Sequence, residues 1–256
     1  MRKLNYPAIA ERIIRDLREY FADAGFSKAV IGLSGGIDSA VSYVLAVKAL
    51  GADAVMALML PNGGNASSEN SIKHAQELIN KFGGKGQIID ISEAVATMYK
   101  WFGSNDNNVR KGNIAARTRM IVLFDYSAKE KCLVVGTENK SEHCLGYFTL
   151  FGDSASCIEP IRHLYKTEIF EFAKYLGVTE TIINKAPSAE LWEGQTDEGE
   201  FGFTYAEADA YIERLEGDGP GNKMEIAAID TVINARITAM RFKRNVPYVV
   251  PDFTNL

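Results

Sequence analysis

The sequence predicts an α/β protein with a doubly wound, mostly parallel sheet and helices on both faces. Short, continuously apolar runs such as AVIGL and CLVVGT read as strands buried on both sides. They alternate with longer segments of helical periodicity, and such alternation joins parallel strands by right-handed crossovers. No Pro- or Ser-rich linker interrupts the 256 residues, so residues 1–256 read as a single domain.

The elements follow in order. MRKLNYPAIAERIIRDLREYF interleaves charge with apolar residues at helical spacing, which makes it an amphipathic helix rather than a signal peptide or anchor. AVIGL is the first strand, and Ser39 to Leu50 is a well-buried helix ended by Gly51. DAVMALMLP is the second strand, closed by Pro61. NGGNASSEN is loop chemistry, from which Ser67 or Ser68 caps a helix running through Lys81. QIIDI is the third strand, EAVATMYKWF a helix, and SNDNNVRKGN a polar loop. A long helix over IAARTRMIVLFDYSAKEK then leads to the fourth strand, CLVVGT. IEPIRHLYKTEIFEFAKYLGV gives a turn and a helix. APSAELWEGQTDEGEFGFTYAEA is acidic and weakly periodic, as lids and binding loops are. Residues 104–112 and 190–204 are the candidates for closing over a ligand. Two helices, around TYAEADAYIERL and KMEIAAIDTVINARITAMRF, precede the basic KRNVP.

Composition narrows the function classes. A net charge of −5 argues against a nucleic-acid coat. No apolar run approaches the ~18 residues of a membrane span. Three cysteines, Cys132, Cys144 and Cys157, without C-x-x-C spacing, suggest reduced thiols rather than a disulfide frame or zinc site, which points to the cytoplasm.

In doubly wound sheets ligands sit at the carboxyl ends of strands. SGGIDS follows the first strand and GTENKSE the fourth. The first of these is no Walker A loop, because it has no lysine, and no dinucleotide fingerprint, because Gly32, Gly35 and Gly36 are wrongly spaced. What it offers is a run of backbone N–H groups at a helix N-terminus, with Ser34 and Ser39 adding hydroxyls: an anion cradle. Asp38 would repel a phosphate unless a divalent cation lay between them, so the loop predicts a magnesium-bridged phosphate. The plainer alternative is a tight turn in which Ser34 caps the helix and Asp38 favours its dipole.

In its strand–loop–helix setting, SGGIDS resembles the S-G-G-x-D-S signature of the N-type ATP pyrophosphatases, which cleave ATP between the α- and β-phosphates. NIAARTRM (113–120), GTENKSE (136–142), GYFTLFGD (146–153), LYKTEIF (164–170), APSAELW (186–192), QTDEGEFGF (195–203) and FKRNVP (242–247) resemble, in kind and order, the ammonia-dependent NAD synthetases. The resemblance implies an adenine nucleotide alpha hydrolase-like fold and conversion of deamido-NAD to NAD with ATP, magnesium and ammonia. It further implies that Gly32, Leu33, Ser34, Gly35, Gly36, Ile37, Asp38, Ser39, Thr137, Lys166 and Ser188 bind ATP. Asp38 and Glu142 would hold magnesium, and Arg117, Asp153 and Lys243 would contact deamido-NAD. Lys166 and Asp153 would be catalytic, Asp153 as the base that takes a proton from ammonium.

Two departures stand out. Leu150 occupies a position where many relatives carry a substrate-contacting lysine, and Phe242 precedes Lys243 where many have histidine. Glu138 in GTEN has no evident role. No second domain with a nucleophilic cysteine is apparent, so ammonia itself, or ammonia from a separate protein, is the expected nitrogen donor. The long helix carries Ile114, Met120, Ile121, Leu123, Phe124 and Tyr126, more apolar surface than one face needs: either the helix is buried within one chain or, as the resemblance implies, it packs across the two-fold axis of a homodimer. Two rival readings are a tRNA-modifying member of the same superfamily and a non-catalytic adenine-nucleotide sensor.

Overall fold

Ala29–Gly32 (β1), Val55–Met59 (β2), Lys85–Ile88 (β3) and Leu133–Val135 (β4) form one parallel sheet in the order β3-β2-β1-β4. The computed structural model describes residues 2–63, 66–103, 107–188, 194–217 and 227–249. Alternation along the strands sorts side chains into two cores. Ala29, Ile31, Val55, Ala57, Met59, Leu133 and Val135 face one way; Val30, Leu58 and Val134 face the other.

Three helices cover the first face: Tyr6–Asp23 (α1), Ile37–Leu50 (α2) and, later in the chain, Lys166–Leu176 (α7). α2 is buried almost all round, from Ile37 to Ala49, because it lies between the sheet and both other helices. Ala66–Phe82 (α3) packs beside it. This helix begins before Ser67 and Ser68, so they fall inside its first turn and do not cap it.

The second face is covered by Ser92–Phe102 (α4) and Asn108–Glu130 (α5). The polar run read as a loop supplies the start of α5: the Asn107 side chain accepts the Arg110 N–H at 3.0 Å, an N-cap that turns 108–113 helical. β3 begins two residues before QIIDI, after the paired turn glycines Gly83 and Gly84, and its four residues are exposed as befits an edge strand. The rest of QIIDI still follows β2, with Ile89 N–H on the Met59 carbonyl and Ile91 N–H on the Pro61 carbonyl.

Beyond β4 the chain forms Lys140–Leu145 (α6), and after α7 it forms Glu180–Ile183 (α8), Asp197–Phe201 (α9), Tyr205–Gly217 (α10) and Ala228–Ala239 (α11). α6, α9, α10 and α11 share a third apolar cluster of Leu145, Phe201, Phe203, Tyr205, Ala208, Tyr211 and Ile233. α6 and α9 lie in stretches that carry no helical periodicity. Of the two candidate closing loops, 104–106 and 190–193 lie outside the described residues, while 108–112 and 197–201 are helical.

Candidate active site

Winding of the sheet reverses between β1 and β4, because β2 and β3 are laid down on one side of β1 and β4 on the other. Doubly wound sheets open a crevice at such a switch point. A cavity of about 980 Å³ occupies it here, lined by every residue from Gly32 to Ser39 except Gly35, and by Thr137, Glu142, Asp153, Lys166, Ser188 and Lys243. Segments far apart in sequence are thus brought to one place.

Gly35 is a backbone requirement. Its φ is +76°, and a Cβ there would run into the Ser71 carbonyl and stand 2.9 Å from the Ser71 Cα. Gly36 is the N-cap of α2 and makes no side-chain capping bond. The Ser34 hydroxyl accepts the Gly36 N–H at 3.2 Å, and the Ser39 hydroxyl accepts the Ser34 N–H at 3.2 Å while donating to the Gly36 carbonyl at 3.0 Å. The serines therefore stiffen the loop instead of capping the helix. First-turn N–H groups from Ile37 onward have no intrahelical acceptor, and with the helix dipole they form a site for an anion.

A buried ammonium faces that N-terminus. Lys166, 3% exposed, places Nζ 2.5 Å from Asp38 Oδ2 and 3.0 Å from Glu142 Oε1. It opens α7, where its N–H donates to the Ser141 hydroxyl at 2.8 Å. Burial pulls the lysine pKa down, but Asp38 and Glu142 more than offset this and raise it, so Lys166 stays charged. Burial pushes the Glu142 carboxyl up to about 8, with Lys166 opposing and Asp38 adding to the rise.

Asn139 organises the pair of carboxylates. Its Nδ2 donates to Asp38 Oδ1 at 2.9 Å, while its Oδ1 accepts the Glu142 N–H at 2.9 Å as the cap of α6. The run Asn139-Lys-Ser-Glu142 is a capping box, so the sequence does carry a signal for α6. Asp209 on α10 adds a second tie. It accepts from the Ser141 hydroxyl and, at 3.0 and 2.8 Å, from the Thr167 N–H and hydroxyl, pinning the starts of α6 and α7 together.

The opposite wall draws on GYFTLFGD and QTDEGEFGF, at residues to which the sequence assigns no role. Asp197 lies beside Lys166 and accepts the Tyr205 hydroxyl at 2.9 Å; burial raises its pKa, against Lys166. Tyr147 donates to Glu200 at 2.8 Å, and Gln195 Nε2 donates to both at 3.3 Å. Lys185 lines the cavity near the loop, with Nζ 2.9 Å from the Ser71 hydroxyl. No spacing in the acidic stretch distinguishes Asp197 from Glu198 and Glu200, which is why sequence alone does not find it.

The remaining expected residues divide. Ser188 donates to the Gln195 carbonyl at 2.7 Å. Asp153 is an exposed residue of the cavity lining, with protein packed close around it. Burial pushes its pKa up, opposed by the Thr149 N–H that donates to it at 2.9 Å. Lys243 donates to the Gly146 and Phe148 carbonyls at 2.8 and 2.6 Å. Arg117 does not line the cavity: it is exposed, and its Nε and Nη2 donate to the Leu150 carbonyl at 3.2 and 3.1 Å. Its neighbour Arg119 does line it, and donates to the Leu60 carbonyl at 3.0 Å. Glu138 finds a place: it is buried, 3.3 Å from both Arg162 and His143.

The donor set fits magnesium. Among the described residues no three His, Cys, Asp or Glu side chains are grouped as a metal cage. Yet Asp38 and Glu142 converge from two segments on a single ammonium in front of the α2 N-terminus. Two carboxylates completed by phosphate oxygens are the usual magnesium arrangement.

Comparison with known proteins finds one family along nearly the whole chain. Residues 9–247 match the family model described as NAD synthase. An NH(3)-dependent NAD(+) synthetase from Fusobacterium nucleatum is 41% identical over 252 residues, 96% of either chain. Among solved structures, an NMN synthetase from Francisella tularensis aligns with TM-score 0.87 and 36% identity, covering 98% of this chain and 100% of its own. An NH3-dependent NAD synthetase from Campylobacter jejuni aligns with TM-score 0.81 and 31% identity, covering 97% and 100%.

Proposed function

The chain belongs to the NAD synthase family, and from that premise we propose how its cleft performs the reaction. The protein is a C–N ligase that uses ATP to amidate deamido-NAD with ammonia, giving NAD, AMP and pyrophosphate through an adenylated carboxylate. A carboxylate is a poor acyl donor because oxide would have to leave, whereas AMP leaves readily.

The observation that carries the assignment of roles is the buried Lys166 ammonium, set between Asp38 and Glu142 in front of the open N-terminus of α2. Gly32 to Ser39 shape the cradle for the ATP phosphates, the first-turn N–H groups from Ile37 onward supply its free donors, and Thr137 and Ser188 flank it. When the acceptor carboxylate attacks the α-phosphorus, negative charge grows on departing pyrophosphate, and Lys166 stabilises it there. Asp38 and Glu142 would hold magnesium, which would supply further positive charge to the leaving group when bound. Lys243 contacts the acceptor from within the cavity, and Arg117 from its outer edge through the Leu150 turn. Ammonium must lose a proton before it attacks, and Asp153, whose pKa is raised by burial, takes it. An Asp153→Asn variant that adenylated normally and turned over at full rate would remove that role.

Residues 1–256 act as one domain in this proposal, and the assembly is a homodimer. Among the described residues no helix is long and apolar enough to cross a membrane, and the three cysteines are free, in keeping with the cytoplasm. Ammonia is the donor.

The test is to mix protein, ATP, magnesium, ammonium and deamido-NAD. NAD with AMP is expected; ADP, or pyrophosphate release without deamido-NAD, would refute the scheme. A second reading has one specific observation behind it. The Francisella relative is an NMN synthetase, and Leu150 cannot pair with a phosphate as a lysine would. On that reading the acceptor is the mononucleotide acid, and exchanging it for deamido-NAD in the same assay decides between them by relative kcat/KM.

A further inference from the structure

Three cations stand at the acceptor side of the cleft, two of them lining the cavity, and two of the three already have acceptors. Lys243 is bonded to the Gly146 and Phe148 carbonyls. Arg117 spends Nε and Nη2 on the Leu150 carbonyl from outside the cavity wall. Leu150 itself adds no charge. The third cation, Arg236 on α11, differs. Its guanidinium lines the cavity with Cζ 4.5 Å from the Phe201 ring centroid and 5.5 Å from that of Tyr147. Its Nε is buried and has no hydrogen-bond partner among the described residues.

Nearby acids do not fill that vacancy in its bonding. Glu200 accepts from the Tyr147 hydroxyl and the Gln195 amide, Asp197 accepts from Tyr205, and neither forms an ion pair with Arg236. Buried donors in folded proteins are nearly always satisfied, so an unfilled one beside a cavity calls for an explanation. Two aromatic faces fix the guanidinium plane, which removes most of the entropy cost of binding a planar or tetrahedral oxyanion by its fork. Ring contacts alone leave the buried Nε–H of Arg236 without an acceptor among the described residues.

We propose that Arg236 binds an oxyanion of the acceptor substrate, either its ring carboxylate or the phosphate next to the nicotinate riboside. This rests on the reaction proposed above. Arg236 is in reach of the acceptor side because α11 leads through Met240 to Lys243, and Met240 packs against Gly146 at the same edge of the cavity.

Calorimetric titration of the full chain tests this with three probes: deamido-NAD, NAD, and ATP with magnesium. A charged hydrogen bond is worth enough that Arg236→Gln should weaken deamido-NAD on the order of tenfold to a hundredfold, leaving ATP within about twofold. If NAD is unaffected, the contact is to the ring carboxylate, which NAD lacks; if NAD weakens equally, it is to phosphate. Deamido-NAD affinity held within about twofold overturns the proposal, as does an equal loss for ATP, which would mean the aromatic clamp had merely collapsed. Arg236→Lys keeps a cation over the rings and loses the fork, and is read in the same way should the glutamine variant not fold. Wild-type turnover stands apart from these readouts: if it fails, the reaction is wrong, whereas unchanged variant affinity sinks only Arg236.

Discussion

Lys166 is one ammonium serving two carboxylates, and its removal separates electrostatic roles. Lys166→Met leaves Asp38 and Glu142 facing each other without a counter-charge. Breaking a buried charge cluster in this way costs roughly 3–5 kcal/mol, so the variant should unfold at clearly lower denaturant. Pyrophosphate release at saturating substrates should fall ~100-fold to ~1,000-fold, as when a transition-state donor is removed. Release at the wild-type rate would exclude Lys166 from the chemistry. Glu159 offers a pH test from behind the cleft wall, where its carboxyl packs against Gly136. It accepts the Ser156 hydroxyl at 2.7 Å and the Glu138 N–H at 3.0 Å, yet burial raises its carboxyl to about 7. The folded state therefore binds this proton more tightly than the unfolded chain does. The stability it contributes is full below about pH 4.5 and is lost as pH rises through about 7, by at most ~3 kcal/mol. Denaturation midpoints should fall between pH 5 and 8, and Glu159→Gln should flatten that slope; equal slopes would refute it.

At the scale of elements, the strands and the cradle were legible because each carries its own local signal. AVIGL and CLVVGT are apolar on both faces, and the two glycines with flanking serines mark a sharp strand-to-helix turn. What local patterning leaves out is α9 and the wall it supports. α9 is five residues long, and its Phe201 is buried only because Tyr147, Tyr205 and Arg236 come from elsewhere. Asp197 acquires its significance from Lys166, 31 positions away, which no window of sequence displays. The start of α5 is a different kind of miss: an Asn cap was present, but the polar composition hid it. The cradle itself yields a sharp prediction. Gly35→Ala must either flip a φ of +76° or move the backbone of Ser71, and α3 holds Ser71 in place. The variant should lose more than ~1 kcal/mol of stability and weaken ATP well beyond deamido-NAD. Titration showing unaltered ATP affinity would mean the loop does not hold phosphate in this shape.

On the scale of the whole molecule, the proposed homodimer can be argued from how α5 distributes its apolar residues. Ile114, Leu123, Phe124 and Tyr126 pack on the second core, and Met120 and Leu123 line the cavity, so most of the apparent excess is used within one chain. Ile121 remains, 52% exposed, one turn beyond Arg117 on the same face. Arg117 in turn holds the Leu150 carbonyl, which brings Phe151 alongside, 56% exposed and with a φ of 57° that bulky residues seldom adopt. A strained aromatic presented to solvent beside an exposed isoleucine is a patch that asks for cover. It also borders the acceptor side of the cleft, so a partner seated there would complete that edge. Stable interfaces bury about 1,200–2,000 Å², far more than these side chains alone, so the patch would be the centre of a larger contact. Light scattering after size exclusion should therefore give twice the 28.2 kDa of one chain. Ile121→Glu with Phe151→Glu should give the single mass with the fold intact by circular dichroism, and should raise the KM for deamido-NAD more than that for ATP. A wild-type monomer, or a dimer indifferent to both charges, would place the interface elsewhere or nowhere.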